Sequence, residues 1–239
     1  MKKLMTAALL SAAICAPVLA SHTADGVEIP HYSHAAMGCM KLKECTEGVT
    51  QIRTVDELVA VTTNRDFRVH RQEIQSLLDS LDAVGVSVNV ATGQNFPRSH
   101  RGVYYTDDNA FYLNLDHVKE VDVFMKVLRH EGWHAAQDCM AGTIDNTMMA
   151  IIMDADLVPQ KYKLDAEIRY GMLAVKAIPW EQEAIWAGNT PGMTERALAA
   201  CASDTPMWWI YEPTPKTAFW LRQEGYNVTP PENFEPPTL

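Results

Sequence analysis

The stretch RHEGWHAAQ sets His130 and His134 four residues apart, with Glu131 beside the first of them. On a helix this spacing projects both imidazoles from one face about one turn apart, so both can reach a single ion. Glu131 is too close in sequence to share that ligation, but it can reach a water on the ion. A bound zinc brings the pKa of such a water toward neutrality, and a carboxylate beside it takes the proton as the water attacks a carbonyl. The spacing therefore points to metal-assisted hydrolysis, with His130 and His134 as metal ligands and Glu131 as general base. The competing reading is two polar core histidines, which would leave Glu131 with no chemical task.

Zinc needs a third protein ligand. The eight histidines are His22, His31, His34, His70, His100, His117, His130 and His134, and none follows the motif. An extension of the metzincin type would need histidine where Met140 stands and glycine where Gln137 stands. A downstream carboxylate is the economical choice, which leaves Asp154, Asp156, Asp165, Glu167, Glu181 and Glu183.

RHEGWHAAQ, followed some forty residues later by PWEQEAIWAG, resembles the gluzincin group of zinc metallopeptidases. The resemblance covers roughly residues 102–190. It implies a zincin-like fold and a glutamate on a second helix as third ligand, with a small residue often three positions beyond it so that the helices can pack. Glu181 has Ala184 at that offset and Glu183 has Trp186, so the ligand role is carried to Glu181, with Glu183 in reserve. It also implies that the hairpin before the motif lies at the sheet edge over the substrate cleft. The chain departs from the group at Ile185, where several members carry an aspartate that holds a zinc histidine. Asp138 is a candidate substitute, although a solvated surface aspartate is the plainer reading. Tyr162, Tyr170 and Tyr211 are candidate donors to an oxyanion.

The elements that must position these residues follow from periodicity. Phe67, Ile74, Leu77, Leu78 and Leu81 predict a helix to about Asp82. Val84, Val86, Val88 and Val90 alternate as a strand ended by Gly93. The run GVYYTDDNAFYLNLD reads as a hairpin turning at Asp107, Asp108 and Asn109. Asp116 is placed to cap a long helix that carries the motif, with Gly142 as its stop. Downstream, TMMAIIMDA, QKYKLDAEIRYGMLAVKA and PWEQEAIWAG read as helical, the last opened by Pro179 in its first turn. The expected fold is α+β and zincin-like: a small β-sheet with a hairpin packed against the long metal helix, then a mostly helical C-terminal half. Gly132 inside the metal helix costs about 1 kcal/mol relative to alanine, which implies a close neighbour there.

The first residues, MKKLMTAALLSAAICAPVLAS, have the order of a cleavable export signal, with cleavage near Ala20, and the apolar run is too short to span a bilayer. The expected organisation is a signal peptide at 1–20, one catalytic domain over 21–229 and a proline-rich tail at 230–239, in a secreted or periplasmic protein. The chain carries a formal net charge of −10, and losing Lys2 and Lys3 makes it more acidic. Such a balance disfavours nucleic acid and anionic lipid as partners. Losing Cys15 leaves Cys39, Cys45, Cys139 and Cys201 of the five cysteines. In an oxidising compartment these favour disulfides, most simply Cys39 with Cys45 and Cys139 with Cys201. A second zinc site from His31, His34, Cys39 and Cys45 competes with that pairing. The expected function is an exported zinc (Zn2+) metallopeptidase acting on a peptide or protein substrate. The alternative is a non-catalytic zincin-like binding module with a structural metal.

Overall fold

The computed structural model describes residues 32–141, 149–153, 155–172 and 174–203. The expected signal peptide, the tail, His31, Gly142, Asp154 and Tyr211 lie outside them. Within them the chain is mixed α and β. Helix α1 (His34–Lys41) is followed by β1 (Val49–Gln51), α2 (Val55–Thr62) and α3 (Arg71–Ala83). Then come β2 (Ser87–Ala91), β3 (Gly102–Tyr105), β4 (Ala110–Asn114), α4 (Val121–Cys139), α5 (Gln160–Tyr170), α6 (Ile178–Gly188) and α7 (Met193–Ala202).

The sheet runs in the order β1-β2-β4-β3. β2 and β4 pair in parallel, while β1 and β3 add antiparallel at the edges. The period-two alternation divides β4 cleanly. Phe111 and Leu113 join the main core with α3 and α4, while Ala110 and Tyr112 face a smaller cluster built on Met40 of α1. The same parity turns Gly102 and Tyr104 of the edge strand toward α4.

Local chemistry sets several boundaries. Thr54 and Glu57 close a capping box at α2. Pro179 stands in the first turn of α6, as the sequence predicts. The helix expected from Phe67 is entered through a 3-10 segment, Arg65–His70, before α3 begins. Asp116 does not cap the helix that carries the motif: α4 starts at Val121 after Glu120. Residues 115–120 turn instead, with the amides of His117 and Val118 both donating to the Asn114 carbonyl, and Asp116 lies against Gly93. Residues 149–153 are not helical. The amide of Ala150 donates to the Gln137 carbonyl, and those of Ile152 and Met153 donate to Glu183, bonds a helix would have claimed for itself.

Both expected disulfides are present, Cys39–Cys45 and Cys139–Cys201. The first removes the second zinc site, because a sulfur bonded to sulfur is no longer a thiolate ligand, and His34 instead packs edge-on against His100. The second spans 62 residues and ties the end of α4 to α7, a closure worth about 4 kcal/mol in the chain-entropy model. Among the described residues no helix is long and apolar enough to cross a membrane.

Gly132 has the close neighbour its position implies. A Cβ there would stand 2.9 Å from Cγ2 of Thr194 on α7, whose hydroxyl donates to the Arg129 carbonyl at 2.8 Å. Gly132→Ala should therefore lose about 1–3 kcal/mol through overpacking despite alanine's better helix propensity. Adding Thr194→Ser, which removes the methyl and keeps the hydroxyl, should recover most of that loss in urea unfolding. Equal stability of Gly132→Ala and the parent would show that the contact is slack.

Candidate metal centre

The site is made where α4 crosses α6. Close approach is possible because Gly188 has no side chain: a Cβ there would lie 2.8 Å from the Lys126 carbonyl oxygen and 3.3 Å from His130 Cβ. Arg129 braces the same crossing. It donates from Nε to Glu73 of α3 at 2.7 Å and from a terminal nitrogen to the Gly188 carbonyl. The first turn of α6 then brings Glu181 over the two histidines.

His130 and His134 present their rings at right angles, with centroids 4.8 Å apart. Glu181 Oε2 lies 3.3 Å from His130 Nε2 and 3.7 Å from His134 Nε2. Among the described residues these three are the one group of His, Cys, Asp or Glu side chains whose donor atoms converge, all within 4.8 Å of one another. A tetrahedral ion holding nitrogen and oxygen at about 2.0–2.1 Å sets its donors roughly 3.3 Å apart. Glu181 Oε2 is buried without a hydrogen-bond partner of good geometry, an expensive state for a carboxylate oxygen unless a cation satisfies it. The donor set and the orphaned oxygen fit a metal ion, and two imidazoles with one carboxylate suit zinc.

The electrostatics favour positive charge at this point. Burial alone would push His134 down, but Glu181, aided by Glu131 and Gln137, carries it up to about 9. Burial acts on Glu181 in the opposite sense, and the two imidazoles override it, holding the carboxyl well below its ordinary range. Glu131 is pushed up, chiefly by burial and secondarily by the Glu181 charge, with both histidines opposing. Its carboxylate lies beneath the edge strand: a Cβ on Gly102 would stand 2.8 Å from Glu131 Oε1. Burial, then the neighbouring Glu181 charge, raises the Tyr170 hydroxyl. Tyr162 packs against the main core instead.

Glu183 is not at the metal position. It is fully buried and accepts from Trp133 Nε1 at 3.1 Å, Gln137 Nε2 at 2.9 Å, Ile152 N at 3.1 Å and Met153 N at 2.6 Å. Burial pushes its carboxyl up to about 7 against these donors. Asp138 is not a solvated surface residue. It is buried and accepts from the Tyr104 hydroxyl at 2.7 Å. The atom against His134 Nδ1 is Gln137 Oε1, at 2.8 Å. Gln137 stands three residues after His134 on the same face, a signal present in RHEGWHAAQ but not read from it. Asp165 pairs with Arg169 along α5, and Asp156 and Glu167 are exposed. No family model matches the chain, and no curated protein or solved structure matches it.

Replacing Glu181 with glutamine keeps the shape and removes the charged oxygen. Zinc affinity, measured by chelator competition, should fall by more than the 10–100-fold typical of disturbing a group that merely orients a ligand. Asp165→Asn and Glu167→Gln should leave it unchanged. Retention of parent affinity by Glu181→Gln would remove this carboxylate from the ligand set.

Proposed function

We propose that the chain is an exported zinc-dependent hydrolase, a peptidase of the gluzincin kind, in which His130, His134 and Glu181 hold the ion and Glu131 is the general base. The observation that carries this reading is the placement of Glu131. A buried carboxylate, raised by its surroundings, sits beside a group that, among the described residues, has three converging donors rather than four. A metal with a purely structural task is usually closed by four protein ligands, whereas a catalytic one keeps a position open. The two disulfides suit an oxidising compartment.

A bound zinc ion would supply a Lewis acid that polarises the scissile carbonyl and makes water acidic enough to react at neutral pH. Glu131 accepts the proton of the attacking water and returns it to the departing amine nitrogen, and its raised pKa makes it a stronger base than a solvated glutamate. Gly102 leaves room for that carboxylate: any side chain at this point of the edge strand would press on it. A peptide is the substrate class that the resemblance of RHEGWHAAQ and PWEQEAIWAG to gluzincins implies.

Glu131→Gln separates an enzyme from a scaffold. The amide keeps the side chain's size and leaves both histidines free, but it cannot accept the water's proton. Hydrolysis of a mixed peptide library should drop at least about 100-fold, the lower end of what general-base catalysis contributes, while zinc content and melting temperature hold. Undiminished cleavage by the variant would overturn the mechanism. A zinc-loaded parent that cleaves nothing would favour a non-catalytic module.

A further inference from the structure

The hydrogen bonds around His134 do more than hold the ring in place, because their donor and acceptor roles admit only one arrangement. Gln137 Nε2 lies 3.2 Å from the Trp180 carbonyl oxygen and 2.9 Å from Glu183 Oε2. The first partner can only accept. Glu183 is already turned toward three other donors, the indole of Trp133 and the amides of Ile152 and Met153. With the Glu183 carboxyl ionised, as it is well above its raised pKa of about 7, turning the Gln137 amide over would set its carbonyl oxygen against two acceptors in a buried site, with no donor to compensate. The amide nitrogen is therefore fixed toward Trp180 and Glu183, and the amide oxygen is fixed toward His134 Nδ1 at 2.8 Å.

An oxygen in that position accepts, so His134 Nδ1 must carry a hydrogen. In the neutral ring this leaves the lone pair on Nε2, the nitrogen that faces Glu181 Oε2 at 3.7 Å. We propose that Gln137, locked by the Trp180 carbonyl and the Glu183 carboxylate, is a positioning residue that sets the tautomer of His134 so that Nε2 is the metal-binding nitrogen. The inference rests on the reading of His134 as a metal ligand. It gives Glu183 a task at the centre although it touches neither the ion nor substrate: it fixes which way one amide points. Among the described residues no amide is fixed against His130 in this way.

Two substitutions of similar volume isolate the acceptor from the packing. Gln137→Met fills the space without an acceptor. Gln137→Glu keeps an oxygen against Nδ1 and, at pH 7, where the Glu183 carboxyl can still carry a proton, can also keep the bond to it by sharing that proton. Long-range 1H–15N spectra of the imidazoles report the tautomer, in metal-free protein at pH 10, where the ring is neutral, and in zinc-loaded protein at pH 7. The parent should show His134 protonated at Nδ1 in both. Gln137→Met should lose that single tautomer and bind zinc about 10–100-fold more weakly, with Gln137→Glu restoring zinc affinity at pH 7. A purely structural role would change melting temperature and leave the tautomer pattern of the folded protein intact. Nδ1 unprotonated in the parent, or Gln137→Met with parental spectra and affinity, would overturn the inference. If the parent binds no zinc, the metal reading fails, while the metal-free spectra still decide the tautomer. If Gln137→Met does not fold, the metal-free spectra of the parent decide it, since a neutral His134 ring without a hydrogen on Nδ1 would contradict the lock.

Discussion

The helical half of the molecule depends on one buried carboxylate without a salt bridge. Glu183 is 0 % exposed, and burying it is tolerable only because four donors converge on its two oxygens. Two of the donors belong to α4 and two to the backbone of residues 149–153, so a single side chain of α6 joins three segments. Removing any of these donors would leave a buried charge undersatisfied, which makes the arrangement all-or-none. It also fixes the rotation of α6 about its own axis. With Glu183 turned into the core, the residue two positions earlier is turned toward the histidines, and Glu181 arrives at the metal position as a consequence.

Close backbone approach is the second requirement, and it comes from residues without side chains. Gly188 admits the Lys126 carbonyl and His130, Gly132 admits Thr194, and Gly102 leaves the Glu131 carboxylate its place under the edge strand. Arg129 fastens the crossing by reaching Glu73 and the Gly188 carbonyl together. The disulfide from Cys139 to Cys201 then closes the far end of α4 onto α7. The three converging donors are thus held by elements that cannot shift independently, and this preorganisation is what a metal site requires of its scaffold.

Much of this was legible in the sequence where the signal is local. The hairpin announced itself through Asp107, Asp108 and Asn109, and Asn109 does take a positive φ of 48°. The helical period carried α3 and α4, and the offset of Ala184 from Glu181 separated the two glutamates correctly as far as convergence on the histidines is concerned. What was misread depends on partners distant in sequence. TMMAIIMDA has helical composition, but nothing within it reveals that Ile152 and Met153 give their amides to a carboxylate thirty residues on. Asp138 looked solvated because its partner, Tyr104, lies on a strand 34 residues earlier. Asp116 looked like a cap because caps are recognised by residue type, while the tight turn after Asn114 delays the helix by several residues.

The claim on which the rest stands is that His130, His134 and Glu181 bind one zinc ion. X-ray absorption at the zinc edge on the purified, zinc-loaded protein at neutral pH tests it most directly. The account predicts one zinc per chain in a shell of nitrogen and oxygen at about 2.0–2.1 Å, with the scattering of two imidazoles and no sulfur. A sulfur shell at about 2.3 Å, a single imidazole, or a protein that retains no zinc after desalting would contradict it.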